Sequence, residues 1–203
     1  MSFPNRRLEK KLSRKGFAMI AGVDEAGRGA WAGPIVAAAV VLNPKKRISG
    51  IKDSKLLRKP QRQAVYEKII EHALAWSVAA VSASVIDKIG IGPANVLVMQ
   101  RAVAKLTLAP SYVLTDALAV SFGDTPMTAI INGDHKVRCI AAASIIAKVT
   151  RDTMMDQFDE QYSLWGFKHH KGYGTDHHFH MLNTHGMCEI HRRSFRPMSD
   201  LLS

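Results

Sequence analysis

The sequence predicts an α/β domain built on a mixed sheet, and three observations carry the prediction. Apolar runs rich in alanine and valine come first, joined by a glycine-dense connector. Shorter apolar runs follow, separated by segments with helical spacing, and a long helical pattern lies behind them. Strands that first form hairpins and later alternate with helices require both antiparallel and parallel neighbours.

The elements follow in order. Ala18–Val23 and Ile35–Leu42 read as two strands joined through Gly27-Arg28-Gly29-Ala30-Trp31-Ala32-Gly33-Pro34, a stretch dense in turn residues. Pro60 opens a helix with Val65, Ile69, Ala73 and Leu74 at helical spacing. Trp76–Ser82 reads as a third strand, and Gly92-Pro93 starts a second helix through Val96, Met99, Val103 and Leu106. Tyr112–Thr115 and Met127–Ile131 are two further short strands, and a long helix runs from about Cys139 to Gln161. The glycine- and histidine-rich remainder holds one more helix around His177–Leu182. No repeat or low-complexity linker divides the chain. Residues 1–203 therefore read as one domain, with a core over about 16–163 and a small C-terminal extension over about 164–203.

Composition narrows the class. Of 203 residues, 47% are apolar and 22% charged, which suits a packed globule and not a disordered chain. No apolar run reaches the roughly 18–20 residues of a membrane helix. The longest, Ala30–Leu42, is broken by Gly33-Pro34, and the basic N-terminus lacks the pattern of a secretory signal. Two cysteines, Cys139 and Cys188, are too few for a disulfide framework or a four-thiolate zinc site. A cytoplasmic protein with reduced thiols, monomeric and without a membrane partner, is the expectation. The net charge of +11 is unevenly spread. Residues 1–15 carry six cations against Glu9, and residues 45–62 carry eight against Asp53, so the rest is close to neutral. Local basic stretches on a neutral body suit a polyanion partner or a merely solubilising surface.

The acids are placed unusually. Asp24-Glu25 ends the first strand, where two adjacent carboxylates repel and would point to opposite faces of a regular strand. Either the chain turns there or the pair flanks a cation. Asp116 stops a later strand, and Asp152 lies mid-helix on the face of Ile145, Val149 and Met155. Four acids at core edges form one site only around cations, and all-oxygen ligands favour Mg²⁺ or Mn²⁺ over zinc. Simpler roles stand beside this reading. Asp116 caps the following turn, Asp152 pairs with Lys148, Asp53 is a turn residue, and Asp134 caps the long helix.

Gly27-Arg28-Gly29 lets a polyanion approach the backbone, or is a tight turn. Tyr173, between two glycines and after Lys171, suits stacking on a sugar or base, or plugs a core edge. Seven of nine histidines lie between His169 and His191 without thiol pairing that would support zinc. Ala141-Ala142-Ala143-Ser144 allows close helix–sheet packing, and Ser144 can meet a phosphate near the helix start.

Ala21-Gly22-Val23-Asp24-Glu25-Ala26-Gly27-Arg28-Gly29, followed by Ala32-Gly33-Pro34, resembles the opening motif of the ribonuclease HII family. So do Asp53-Ser54-Lys55, the stretch from Ala141 to Asp152, His170-Lys171-Gly172-Tyr173-Gly174-Thr175 and His191-Arg192-Arg193-Ser194-Phe195. The motifs run in the family's order from residue 21 to 196. The resemblance implies a ribonuclease H-like mixed sheet flanked by helices. It implies an endonuclease using two Mg²⁺ or Mn²⁺ ions on RNA–DNA hybrids and on ribonucleotides embedded in duplex DNA. Carried over, the catalytic and metal-binding acids are Asp24, Glu25, Asp116 and Asp152. Gly27, Arg28 and Gly29 read the 2′-hydroxyl, Tyr173 packs on the junction sugar, and Lys55 and Ser144 complete the substrate-binding set. Ala117, Ala30-Trp31 and His135 depart from the family's usual residues. Two rivals remain, a non-catalytic hybrid-binding protein and a DNA-cleaving transposase or resolvase on the same fold. The four acids disfavour the first; the Gly-Arg-Gly loop and the tyrosine tell against the second.

Overall fold

The computed structural model describes residues 3–201; residues 1, 2, 202 and 203 of the expected domain lie outside the described residues. A helix absent from the expectation, α1 (Arg7–Arg14), precedes the sheet and packs on the strand that follows it. β1 (Ile20–Ala26) and β2 (Ile35–Val41) form the antiparallel pair expected of the two apolar runs. After α2 (Lys59–His72), β3 (Ala75–Val81) continues antiparallel on β2. The chain then passes through α3 (Ala83–Ile89) and α4 (Ile91–Ala104). β4 (Tyr112–Asp116) returns parallel on the free side of β1, and β5 (Met127–Ile130) lies parallel to β4. The sheet order is β3-β2-β1-β4-β5. A short α5 (Gly133–Lys136) leads into the long α6 (Arg138–Gln161), and α7 (Phe167–His170) and α8 (Asp176–His185) complete the chain's helices among the described residues. None of these helices is long and apolar enough to cross a membrane.

The period-two alternation of β1 builds two cores. Ile20 and Ala26, with Ala38, Val40 and Leu114, face the small residues Ala141–Ala143 and Ile145, Ile146 of α6. Ala21 and Val23, with Ala37, Ala39 and Val113, face Val98, Met99 and Ala102 of α4. The α6 contact is close because Gly22 has no side chain: a Cβ there would lie 2.2 Å from the carbonyl carbon of Cys139.

Local expectations fail where the sheet competes for backbone. Ala73 and Leu74, read as helical, follow the end of α2; Ala73 is extended and the Leu74 N–H donates to the Val41 carbonyl at 2.9 Å. Ser82, read as the last strand residue, caps α3, its hydroxyl accepting from the Val85 N–H at 3.4 Å.

The tail folds back on the β1–β2 loop. The Gly172 carbonyl accepts from the Trp31 N–H at 2.8 Å, and the Gly33 N–H donates to the Ile190 carbonyl at 2.8 Å. A histidine relay runs beneath. The Cys188 N–H donates to His191 Nδ1 at 2.9 Å, which leaves His191 Nε2–H to donate to His178 Nε2 at 3.1 Å. His178 Nδ1–H then donates to the Tyr173 carbonyl at 3.0 Å. These ring nitrogens are occupied by protein partners.

Burial pushes His178 and His191 down to about 4, with repulsion from His170 adding to both and from His177 to His178. An unfolded histidine titrates near 6.5. The unfolded chain therefore binds more protons between about pH 6.5 and 4, and the stabilisation from the neutral pair is lost as pH falls through that window. His191→Gln should cost about 1–3 kcal/mol at pH 7.5, and thermal melts should show the gap to wild type narrowing towards pH 4.5. A gap independent of pH would contradict the neutral relay.

Candidate active site

Strand register brings the acids together. β1 and β4 pair with Val23 opposite Thr115, so Asp24 and Asp116 are the next residues on adjacent parallel strands. β4 and β5 pair with Asp116 opposite Ile130, and the chain then reverses through Asn132, whose φ of 56° is left-handed. That reversal places Asp134 beside Asp116, and the Gly133 N–H donates to Asp116 Oδ1 at 2.7 Å. Carboxylate oxygens of Asp24, Asp116 and Asp134 lie within 4.8 Å of one another. Ser144 on α6 hydrogen-bonds Asp24 from below, and its hydroxyl is 3.0 Å from that of Ser54.

β1 stays regular to Ala26, so Glu25 points to the opposite face, towards α4. There the buried Asn95 amide donates to Glu25 Oε1 at 3.3 Å. Burial raises the Asp24 carboxyl well above the carboxylate range, and Glu25 and Asp116 push it further. Burial also raises Glu25 and Asp134, with Asp116 adding repulsion to each. Largely buried, oxygen-only and mutually repelling, this donor set fits a hard divalent cation.

The acids open into a cleft of about 450 Å³ lined also by Gly27, Arg28, Gly29, Ser54, Lys55, Ser144, Lys148 and Tyr173. Nine of the ten residues expected from sequence thus meet in one place. Asp152 does not. It lies eight residues beyond Ser144 on α6, roughly 12 Å along the helix axis, and its carboxylate is held by Lys148 at 2.8 Å and Arg62 at 3.3 Å. Asp134, expected only as a cap, occupies the place beside Asp24 and Asp116. Asn95 and Lys148 were not expected in the site at all.

The tyrosine and loop are positioned by half-buried Lys148 and buried Arg151. Lys148 Nζ and Arg151 Cζ sit 5.5 and 5.2 Å from the Tyr173 ring centroid. Gly27, with φ of 89°, abuts Arg151: a Cβ there would lie 1.8 Å from Arg151 Nε. The departures have local roles. Ala117 holds φ of 53°, a region that favours glycine. The Trp31 ring packs on Gly174 and, at 5.4 Å between centroids, on His178. His135 Nε2 is 3.2 Å from Asp53 Oδ2.

A family model described as Ribonuclease HII matches residues 21–198. A ribonuclease HII from Acidothermus cellulolyticus is 48% identical over 191 residues, covering 93% of this chain and 62% of the relative. One from Acholeplasma laidlawii is 48% identical over 202 residues, covering 100% of this chain and 99% of the relative. The chain therefore spans less than two thirds of the first relative and nearly all of the second. The crystal structure of ribonuclease H2 from Pyrococcus horikoshii superposes with a TM-score of 0.78 at 28% identity, covering 91% of this chain and 97% of that one.

A carboxyl raised by burial and repulsion destabilises the fold wherever the unfolded group is ionised. In EDTA at pH 7, Asp24→Asn should therefore raise the melting temperature, by about 2–5 °C, and the gain should vanish below about pH 4. A lower melting temperature at pH 7 would mean that neighbouring cations already neutralise the site.

Proposed function

The chain belongs to the ribonuclease HII family of metal-dependent endonucleases, and on that premise we propose that it hydrolyses the RNA strand of RNA–DNA hybrids and cuts 5′ to ribonucleotides embedded in duplex DNA. The products are a 3′-hydroxyl and a 5′-phosphate. The observation that carries this reading is the trio of carboxylates, buried Asp24 and Asp134 with half-buried Asp116, at the floor of a cleft rimmed by a glycine loop and lysines. A protein that only bound hybrids would have no use for such mutually repelling acids.

In this reading Asp24, Glu25, Asp116 and Asp134 hold two Mg²⁺ or Mn²⁺ ions, with Asp134 taking the part that sequence assigned to Asp152. When bound, such ions supply positive charge for the phosphate oxygens and a water of lowered pKa. The chain's own groups do the rest. Ser144 orients Asp24, and Asn95 orients Glu25. Lys55 and Lys148 attract the phosphate backbone across the cleft. The Gly27-Arg28-Gly29 backbone meets the ribose 2′-hydroxyl, the group that distinguishes RNA from DNA. Tyr173 offers its ring to the neighbouring sugar. No nucleophilic side chain is required, and neither cysteine lines the cleft. The exposed cations Lys45, Lys46 and Arg47 add sequence-independent affinity for duplex.

One assay panel tests the reading: single-turnover cleavage of a labelled duplex carrying one ribonucleotide, in Mg²⁺, Mn²⁺ or EDTA. Wild-type protein should cut with either metal and not in EDTA. Asp134→Asn should abolish cutting while Asp152→Asn stays near wild type; the reverse result would return the fourth ligand to Asp152. Tyr173→Ala should lose about ten- to a hundredfold, the worth of one stacking contact, and Tyr173→Phe less. Wild-type rates in Tyr173→Ala would reduce that residue to a core-edge role.

A further inference from the structure

We propose that Arg192 is the positioning residue that aims the Gly27–Gly29 backbone at the substrate sugar, so that a buried side chain far along the sequence sets the discrimination of ribose from deoxyribose. This rests on the reading of the loop as the 2′-hydroxyl contact.

A loop backbone carries donors and acceptors alike, and the orientation of its peptide planes decides which of them face a ligand. Here one guanidinium makes that choice. Arg192 Nη2 donates to the Gly27 carbonyl at 2.7 Å, and Nη1 donates to the Arg28 carbonyl at 2.8 Å. Each peptide is planar and trans, so its C=O and N–H point in opposite directions. Drawing the Gly27 carbonyl inward turns the Arg28 N–H outward, and drawing the Arg28 carbonyl inward does the same for the Gly29 N–H. Both residues are exposed, and neither N–H has a protein acceptor among the described residues. Around Gly29 no atom lies within 4 Å of where a Cβ would stand, so the approach is open.

The clamp is itself fixed at both ends. Arg192 Nε donates to the Gly33 carbonyl at 3.1 Å, and the Arg192 N–H donates to the Trp31 carbonyl at 2.8 Å. Arg151 serves the far half of the loop, donating to the carbonyls of Pro34 at 2.9 Å and Ala32 at 3.1 Å. Both guanidiniums are fully buried, and neither forms an ion pair among the described residues. Burial pushes Arg192 down to about 9, which still leaves it charged at neutral pH. Two charges with no carboxylate in direct contact, Asp152 and Asp87 acting on them only from a distance, therefore lie behind the outward N–H groups, where they favour an approaching phosphate. A lysine would keep the charge and lose the planar fork that reaches several carbonyls at once.

The test compares wild type, Arg192→Lys and Arg192→Ala. Binding is measured in EDTA to matched duplexes that are all DNA or carry one ribonucleotide, with single-turnover cleavage and thermal melting alongside. The preference for the ribonucleotide duplex should fall about ten- to a hundredfold in both variants, while all-DNA binding stays at the wild-type level in Arg192→Lys, which keeps the charge. Added guanidinium ion should partly restore the preference in Arg192→Ala, where sodium at equal ionic strength should not. Equal loss on both duplexes, or failure of both variants to fold cooperatively, would make Arg192 a structural residue only and overturn the proposal. A wild-type preference that survives both substitutions would overturn the role of Arg192 alone. Absence of any preference in wild type would overturn the loop reading itself, and the proposal with it.

Discussion

Holding Asp24, Asp116 and Asp134 within 4.8 Å of one another, two of them buried and the third half-buried, opposes folding. Each ionised carboxylate taken out of water costs several kcal/mol, and like charges at that range add repulsion. The surrounding scaffold is built to resist both. Parallel pairing of β1 with β4 sets Asp24 beside Asp116, and neither can move without breaking the ladder. Helix α6 seals the site from below, close enough that a Cβ on Gly22 would collide with it. Such a packed frame does not deform continuously, so the acids keep their positions and the cost falls to whatever positive charge enters the cleft.

The same logic extends to the substrate side. The loop between β1 and β2 has little core of its own, yet its Gly27, Arg28, Ala32, Gly33 and Pro34 carbonyls are taken up by Arg151 and Arg192. The tail supplies the rest, through Gly172 and Ile190 on the loop and through the His191–His178 relay to the Tyr173 carbonyl. Of the residues after about 164, Tyr173 lines the cleft and the others brace the loop from behind. Of their histidines, His178 and His191 are explained by the hydrogen bond between their neutral rings.

Much of this was legible in the chain because the informative features are local. The five strands follow from short apolar runs, and α6 follows from its unbroken pattern. Asp24, Glu25 and Asp116 were recognisable as acids where buried strands stop. Asp134 was not, because its place depends on two facts outside any local window: the register of β5 against β4 and the left-handed turn at Asn132. An Asn-Gly pair directly after a strand was the available signal. Asp152 misled for a related reason. Helical periodicity reports the face on which a residue lies but not how far along the axis the site extends. The roles of Arg151 and Arg192 were not legible, since burial against carbonyl oxygens leaves no mark in sequence. The short helices α3, α5 and α7 fall below the length at which periodicity speaks.

The central claim is that the three carboxylates are the seat of the cation, and anomalous diffraction from crystals soaked in Mn²⁺ tests it most directly. The account predicts peaks against the carboxylates of Asp24, Asp116 and Asp134, with Asp152 still bound to Lys148 and Arg62. Manganese coordinated by Asp152, or a site without manganese at saturating concentration, would contradict it.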